Sequence, residues 1–255
     1  MNPIIQTKSL TIGYYDKIVA RDISLELHRG TLVSLVGANG IGKSTLLRTL
    51  SGLQDPLQGE ILLGQKPMSE YTPSALAREI ALVLTEKPAS TAITAREVVT
   101  LGRQPYTDWI GKMTSEDRDI VASAVEVTGI GDLAHKRIGQ LSDGQLQKVM
   151  IARALAQDTP LIMLDEPSTH LDLMHKLALF RLLRQLSQNG KCILFSTHDI
   201  ESAIAISDFM IVMNGAKVQH GTPIDLIREG VFSTLFPPEE IEFNPQAVKF
   251  VFKRL

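Results

Sequence analysis

The chain has 255 residues, 44% of them hydrophobic and only 5% aromatic, enough to bury a large core in one or two domains. Its 26 Lys and Arg against 28 Asp and Glu leave a formal charge of −2, which excludes broad electrostatic attraction to nucleic acid or anionic lipid. The longest apolar runs, PLIML and KCILF, are far too short to cross a bilayer, and MNPIIQTKSL lacks the charged and apolar regions of a signal peptide.

SLTIGY and DISLEL alternate apolar and polar residues, as half-buried strands do. TLVSLVG is a continuous β-rich run, and STLLRTLSG follows as a helix closed by Gly52. GEILLG and IALVL read as further strands. From about residue 89 to 160 the pattern turns helical. TAREVVTLG is one candidate, and TSEDRDIVASAVEVTG carries Thr114 with Asp117 as a capping box. LSDGQLQKV opens a helix that stripes Leu146, Val149, Met150 and Ala154 on one face, with a Ser, an Asp and a Gly at its mouth. Helix N-termini leave amides unpaired, so this one is suited to an anion. Strand character returns in LIMLDE, KCILFST and FMIVM, with a helix between the first two striped by Leu179, Leu182, Leu183 and Leu186. FMIVMNGAKVQHG predicts a hairpin turning on Asn214-Gly215. The stretch from Thr222 reads as ordered, with its role open. The one cysteine, Cys192, has no partner for an internal disulfide and is expected to be a buried packing residue. Strands alternating with helices predict an α/β layered fold around a mostly parallel sheet, in a chain of cytosolic character.

Residues 37–45, Gly-Ala-Asn-Gly-Ile-Gly-Lys-Ser-Thr, satisfy G-x-x-x-x-G-K-[ST] between a strand and a helix. The backbone from Gly37, Ala38, Asn39, Gly40, Ile41 and Gly42 into Thr45 is expected to converge its N–H groups on phosphates. Lys43 supplies a point charge for the β and γ phosphates, and Ser44 a hydroxyl for Mg²⁺. LIMLDE brings Asp165 and Glu166 to the end of a buried strand. Asp165 is expected to hold Mg²⁺ through water, and Glu166 to polarise an attacking water as general base. His198, in FSTHD, ends another apolar strand on the same sheet edge, within reach of the γ-phosphate or that water. The other five histidines show no metal spacing and read as surface or packing residues.

GANGIGKST, LSDGQ, LIMLDEP, STHLD and STHD, in that order and spacing, resemble the ATP-binding cassette family over nearly the whole chain. The resemblance implies a P-loop ATPase fold with an N-terminal antiparallel β part and an inserted helical subdomain. It implies one nucleotide-binding domain over 1–255, with a core of 1–88 and 161–255 and a helical part of about 89–160. It also implies a head-to-tail dimer in which Ser142, Gly144 and Gln145 of one copy meet the other copy's ATP. Tyr14 is similar to the aromatic that stacks on adenine, with Tyr15 as the fallback. Asp172 is similar to the residue that reaches across the dimer.

Two positions depart from the family. Asp143 stands where most members have Gly, and a carboxylate about 4 Å from a phosphate costs roughly 4 kcal/mol per unit charge pair at an effective dielectric near 20. Its side chain is therefore expected to point away, capping the helix. Thr85, followed by Glu86 and Lys87, stands where the family has a Gln that meets Mg²⁺ and relays to the membrane partner. Thr85 or Glu86 is the candidate replacement.

REVVTLGRQPY, and LAQDTPLIMLDEPSTHLDL followed by His175, resemble the ATPases of iron-siderophore, haem and vitamin B12 importers. The resemblance implies an ATP- and Mg²⁺-dependent ATPase, peripheral at the cytoplasmic face of the cell membrane. Two copies would sit beneath a separate many-helix permease fed by a binding protein. The helical arm and the segment after Thr85 would receive the permease's coupling helices. The alternative is a soluble cassette ATPase serving a protein or cofactor-assembly complex. A P-loop kinase or GTPase would leave LSDGQ unexplained and lacks N-K-x-D, and a silenced structural subunit conflicts with intact Lys43, Glu166 and His198.

Overall fold

A computed structural model describes residues 2–253 apart from 16, 87, 89, 170 and 238. Lys87, the His170 of STHLD and the expected boundary at 89 thus lie outside the described residues.

The chain opens with β1 (Ile5–Tyr14), β2 (Lys17–Ile23) and β3 (Glu26–Leu27). DISLEL is therefore split between two strands rather than forming one. The Thr7 hydroxyl donates to the Ile23 carbonyl at 2.8 Å and accepts from the Leu25 N–H at 3.1 Å, taking over the ladder at the break. Next come β4 (Leu32–Val36), α1 (Lys43–Leu50), β5 (Gln58–Leu63), β6 (Lys66–Pro67), α2 (Pro73–Leu76) and β7 (Ile80–Val83). β1 pairs antiparallel with β2, β3 and β5, and β5 with β6, making the N-terminal sheet.

After β7 the chain leaves the sheet for α3 (Ala95–Thr100), α4 (Ser115–Val127) and α5 (Asp143–Ala156). Thr94 and Thr114 each close a capping box, the latter with Asp117 as the spacing predicts. α5 differs from the single stripe expected of it. Val149, Met150, Ile151, Ala152, Ala154 and Leu155 are all buried, because its C-terminal half is enclosed by α3, α4 and β7. Between α3 and α4 the Asp108 carboxylate accepts from the N–H groups of Ile110 and Lys112 at 3.0 and 2.9 Å, closing a tight turn. That turn holds Trp109 93% exposed.

The chain returns through β8 (Leu161–Leu164), α6 (Leu173–Gln188), β9 (Cys192–Thr197), α7 (Ile200–Ile206), β10 (Phe209–Asn214) and β11 (Lys217–Gly221). The second sheet has the order β11-β10-β4-β9-β8-β7, parallel throughout except for the β10–β11 hairpin. Its central strands are buried along their length, as continuous apolar runs dictate when both faces are covered. The hairpin turn lies one residue later than expected. Asn214 pairs with Lys217, so the turn is Gly215-Ala216, with Gly215 at φ +59°. Asn214 stays in the strand while its amide donates to the Thr234 carbonyl at 2.9 Å.

The chain closes with α8 (Pro223–Arg228), β12 (Ile241–Asn244) and β13 (Lys249–Phe252). Phe232, Phe236, Phe243 and Phe250 pack as one aromatic cluster against α7 and β10. A groove of about 770 Å³ separates the end of α1 and the N-terminal sheet from α5, with Leu53, Met68, Leu76, Glu86, Met150 and Arg153 among its walls. Cys192 is fully buried as expected, and burial pushes its thiol up to about 12.

Candidate functional site

Five parallel strands end at one edge of the second sheet, and the loops leaving β4, β7, β8 and β9 carry the charged side chains. β4 runs into the phosphate-binding loop. Gly37 (φ +154°) and Gly42 (φ +115°) take conformations that side chains rarely adopt. A Cβ at Gly37 would lie 2.6 Å from the Met213 carbonyl oxygen, and one at Gly42 would strike Val19. At Gly40 (φ +74°) a Cβ would meet nothing within 4 Å, so the loop's crest is open. Among the described residues α1 alone of the α-helices has no side-chain N-cap; Thr72, Thr94, Thr114, Ser142, Asp172, Asp199 and Thr222 cap the others. Its first amides are therefore left for an anion, the chemistry that the loop's sequence calls for.

Lys43 is buried at the start of α1. Its Nζ donates to the Gly37 and Ala38 carbonyls at 3.0 and 3.3 Å and lies 3.3 Å from Glu166 Oε1. Glu166 follows β8 at φ +49°, a left-handed conformation that costs a non-glycine residue of order 1–3 kcal/mol. The turn aims its carboxylate at Lys43 and at His198, whose Nδ1 lies 2.9 Å from Oε2. Thr169 Oγ1 donates to the same oxygen at 3.3 Å. A carboxylate only accepts, so Nδ1 of a neutral His198 carries the proton and Nε2 is left to accept; once protonated, both nitrogens donate. Lys43, Glu166 and His198, predicted separately from three motifs, thus form one cluster.

Ser196 completes it. Its hydroxyl donates to Asp165 Oδ1 at 2.7 Å and accepts from the Glu166 N–H at 2.8 Å, fixing both acidic residues. The sequence reading missed it because no local pattern marks it. The signal lies in strand pairing: Leu164 opposite Phe195 puts Ser196 beside Asp165. Thr169 was missed although it lies only three residues after Glu166, within the STHLD stretch.

Tyr14 ends β1, and its phenol oxygen accepts from Thr45 Oγ1 at 3.2 Å, tethering the ring to the phosphate-binding helix. Tyr15 is 95% exposed and has no such tether among the described residues. Ser142 and Gln145 form a capping box on α5: the Gln145 N–H donates to Ser142 Oγ at 3.3 Å, and the Ser142 N–H to Gln145 Oε1 at 3.0 Å. The cap is therefore Ser142, not Asp143, which is the helix's first residue; Ser142 has the β-region backbone that a cap requires. Ser142 keeps its hydroxyl proton for another acceptor. Among the described residues no hydrogen bond or ion pair joins Ser142, Gly144 or Gln145 to residues 37–45. Asp172 caps α6, accepting from the His175 N–H at 2.9 Å, and meets the His175 ring at 2.8 Å. Those bonds, the backbone one first, hold its carboxyl below the usual range.

Thr85 is exposed beyond β7, and the Glu86 carboxylate lies 2.5 Å from Arg48 on α1. Among the described residues no cluster of three His, Cys, Asp or Glu side chains is placed to hold a metal. One hydroxyl at Ser44 and one carboxylate at Asp165 fit an ion that takes most of its ligands from phosphates and water.

The strand–loop–helix phosphate cradle of this chain faces the acidic residue that follows β8. Residues 20–169 match the family model described as ABC transporter. The chain is 37% identical to the achromobactin transport ATP-binding protein of Dickeya dadantii over 91% of this chain and 87% of that one. It is 35% identical to the iron(3+)-hydroxamate import ATP-binding protein of Bacillus subtilis over 96% and 92%. Among solved structures it is similar to a metal-chelate type ABC transporter in an inward-facing conformation, with a TM-score of 0.81 and 27% identity over 92% of this chain and 89% of that chain. It is also similar to a dimeric bacterial ABC transporter cassette, with a TM-score of 0.75 and 26% identity over 86% and 98%. With the family model spanning more than half its length and the phosphate cradle intact, this chain belongs to the ABC transporter family as an ATP-binding, ATP-hydrolysing subunit.

Proposed function

We propose that this chain energises the import of an iron chelate, working as two copies beneath a separate many-helix permease at the cytoplasmic face of the cell membrane. The observation that carries this reading is the similarity, along 91% and 96% of the chain, to ATP-binding proteins named for achromobactin and iron(3+)-hydroxamate. Those names favour an iron chelate over haem or cobalamin as cargo. No helix among the described residues is long and apolar enough to cross a membrane, so the permease is a partner outside these residues. A binding protein delivering cargo to that permease completes the assembly.

The chain divides into a core of 1–88 and 161–255 and a helical arm of about 89–160. In the core, the loop of Gly37 to Thr45 holds the phosphates and Lys43 neutralises their charge, exchanging its contact with Glu166 for the γ-phosphate. Glu166 then accepts a proton from the attacking water, with His198 and Thr169 holding the carboxylate in place. Ser44 and Asp165 would hold Mg²⁺, which when bound stabilises the charge that develops on the transferred phosphoryl group. Tyr14 offers its ring to adenine. Ser142, Gly144 and Gln145 serve the ATP of the second copy, which explains why one chain has a second anion-suited helix; Asp172 lies at that junction. ATP closes the pair, and hydrolysis reopens it and moves the permease.

The test is to solubilise native membranes gently, capture the chain and identify what accompanies it. A stoichiometric many-helix membrane protein supports the importer. Recovery in a membrane-free fraction without such a partner overturns it and favours a soluble assembly ATPase.

A further inference from the structure

Glu86 stands in the loop that leaves β7, 70% exposed at its side chain and on the wall of the 770 Å³ groove. Its carboxylate does not turn towards Asp165 or Lys43. It lies 2.5 Å from the guanidinium of Arg48, itself 36% exposed, in the last turn of α1. α1 is short and rigid, about 12 Å for its eight residues. Lys43 and Ser44 occupy its first turn, and Thr49 Oγ1 bonds back to the Thr45 carbonyl at 2.9 Å. Thr49 at the far end of that helix, with Ser51, Gly52 and Leu53 just beyond it, forms part of the same groove wall as Glu86. One ion pair therefore joins the groove, the loop after β7 and the helix that presents the phosphate-binding lysine.

From this we infer that Arg48 and Glu86 are positioning residues for nucleotide binding: their ion pair fixes the tilt of α1, and with it the placing of Lys43, from the groove end. The inference rests on Lys43 as the phosphate-binding lysine. Glu86 acts here through Arg48 and not as a metal ligand, which separates it from the role that its place beside Thr85 suggests.

The test is equilibrium binding of a fluorescent ATP analogue to the purified full chain, once in EDTA and once in excess Mg²⁺. Arg48→Glu and Glu86→Arg are each expected to weaken binding about two- to fivefold in both conditions, the range that an exposed ion pair supplies. The double exchange R48E/E86R is expected to restore the parent value, which a merely structural role at either site would not do. The neutral variants Arg48→Gln and Glu86→Gln guard against misfolding and should show the smaller end of the effect. Unchanged affinity in the single variants overturns the inference. So does a Glu86 effect confined to Mg²⁺ that the exchange fails to repair, which would make Glu86 a metal ligand. Lys43→Ala is the control: parent-like binding there would unseat the phosphate site itself.

Discussion

Glu166 is held by the side chains of Lys43, Thr169, Ser196 and His198 and by a strained backbone, and each constraint has a consequence at that residue. The φ of +49° is supported by the Ser196 hydroxyl on its N–H, and its carboxylate by His198 and Thr169. Glu166→Gln keeps the shape and removes the base, so single-turnover hydrolysis should fall by about a hundredfold or more while ATP binding persists. Hydrolysis at the parent rate would reassign the base. Ser196→Ala leaves Asp165 and the Glu166 N–H each without its partner, and should lower hydrolysis with less effect on ATP affinity. Cys192 makes a different residue-scale prediction. With its thiol pushed up to about 12 by burial, it should resist alkylation at neutral pH until the chain unfolds. A thiol-reactive dye added along a urea titration reads this directly.

At the scale of the element, α4 depends on one carboxylate. Asp117 accepts from the Thr114 N–H and hydroxyl at 2.8 and 2.7 Å and from Arg103 Nε at 2.9 Å, with Arg103 and Asp117 both buried. The Thr114 bonds, backbone first, and then Arg103 hold its carboxyl below the usual aspartate range, against the opposing effect of burial. A group depressed in the fold stabilises fully above its unfolded pKa, and that stability is lost as pH falls through the folded value. The contribution of Asp117 to α4 should therefore be complete at neutral pH and fade only in strong acid. Asp117→Asn leaves Arg103 buried beside a neutral amide, and should cost about 3 kcal/mol at pH 7 with a shallower acid limb in urea denaturation. α4's capping box was legible from Thr114 and Asp117 because a cap is local. The Arg103 partner was not, since fourteen residues and a break in the helix separate the pair.

The same division runs through the whole molecule. The phosphate loop, the acidic pair and the alternation of strands and helices that predicts a mostly parallel sheet are written in short windows, whereas the strand order is seen only in the assembled sheet. The hairpin's one-residue shift, the enclosed half of α5, Ser196 and the C-terminal aromatic cluster depend on neighbours distant in sequence. That cluster ties the chain's end to α7, which begins two residues after His198, and the Phe250 N–H donates to Glu201 Oε1 on that helix at 2.9 Å. Phe243 touches Phe232 and Phe250, with ring centroids 5.2 and 5.0 Å away. Phe243→Ala should cost about 3–5 kcal/mol and lower the urea midpoint. An unchanged midpoint would show the C-terminal hairpin to be energetically separate from the core.

The exposed indole in the turn between α3 and α4 has a practical consequence. Trp109 is the only tryptophan in the chain, so every photon emitted on indole excitation comes from one address between α3 and α4. The protein thus carries its own spectroscopic reporter. Acrylamide should quench it almost freely in the isolated chain. Any closure, pairing or docking that covers the arm will register as a blue shift and a loss of quenching, timed against hydrolysis in a stopped-flow trace without a label.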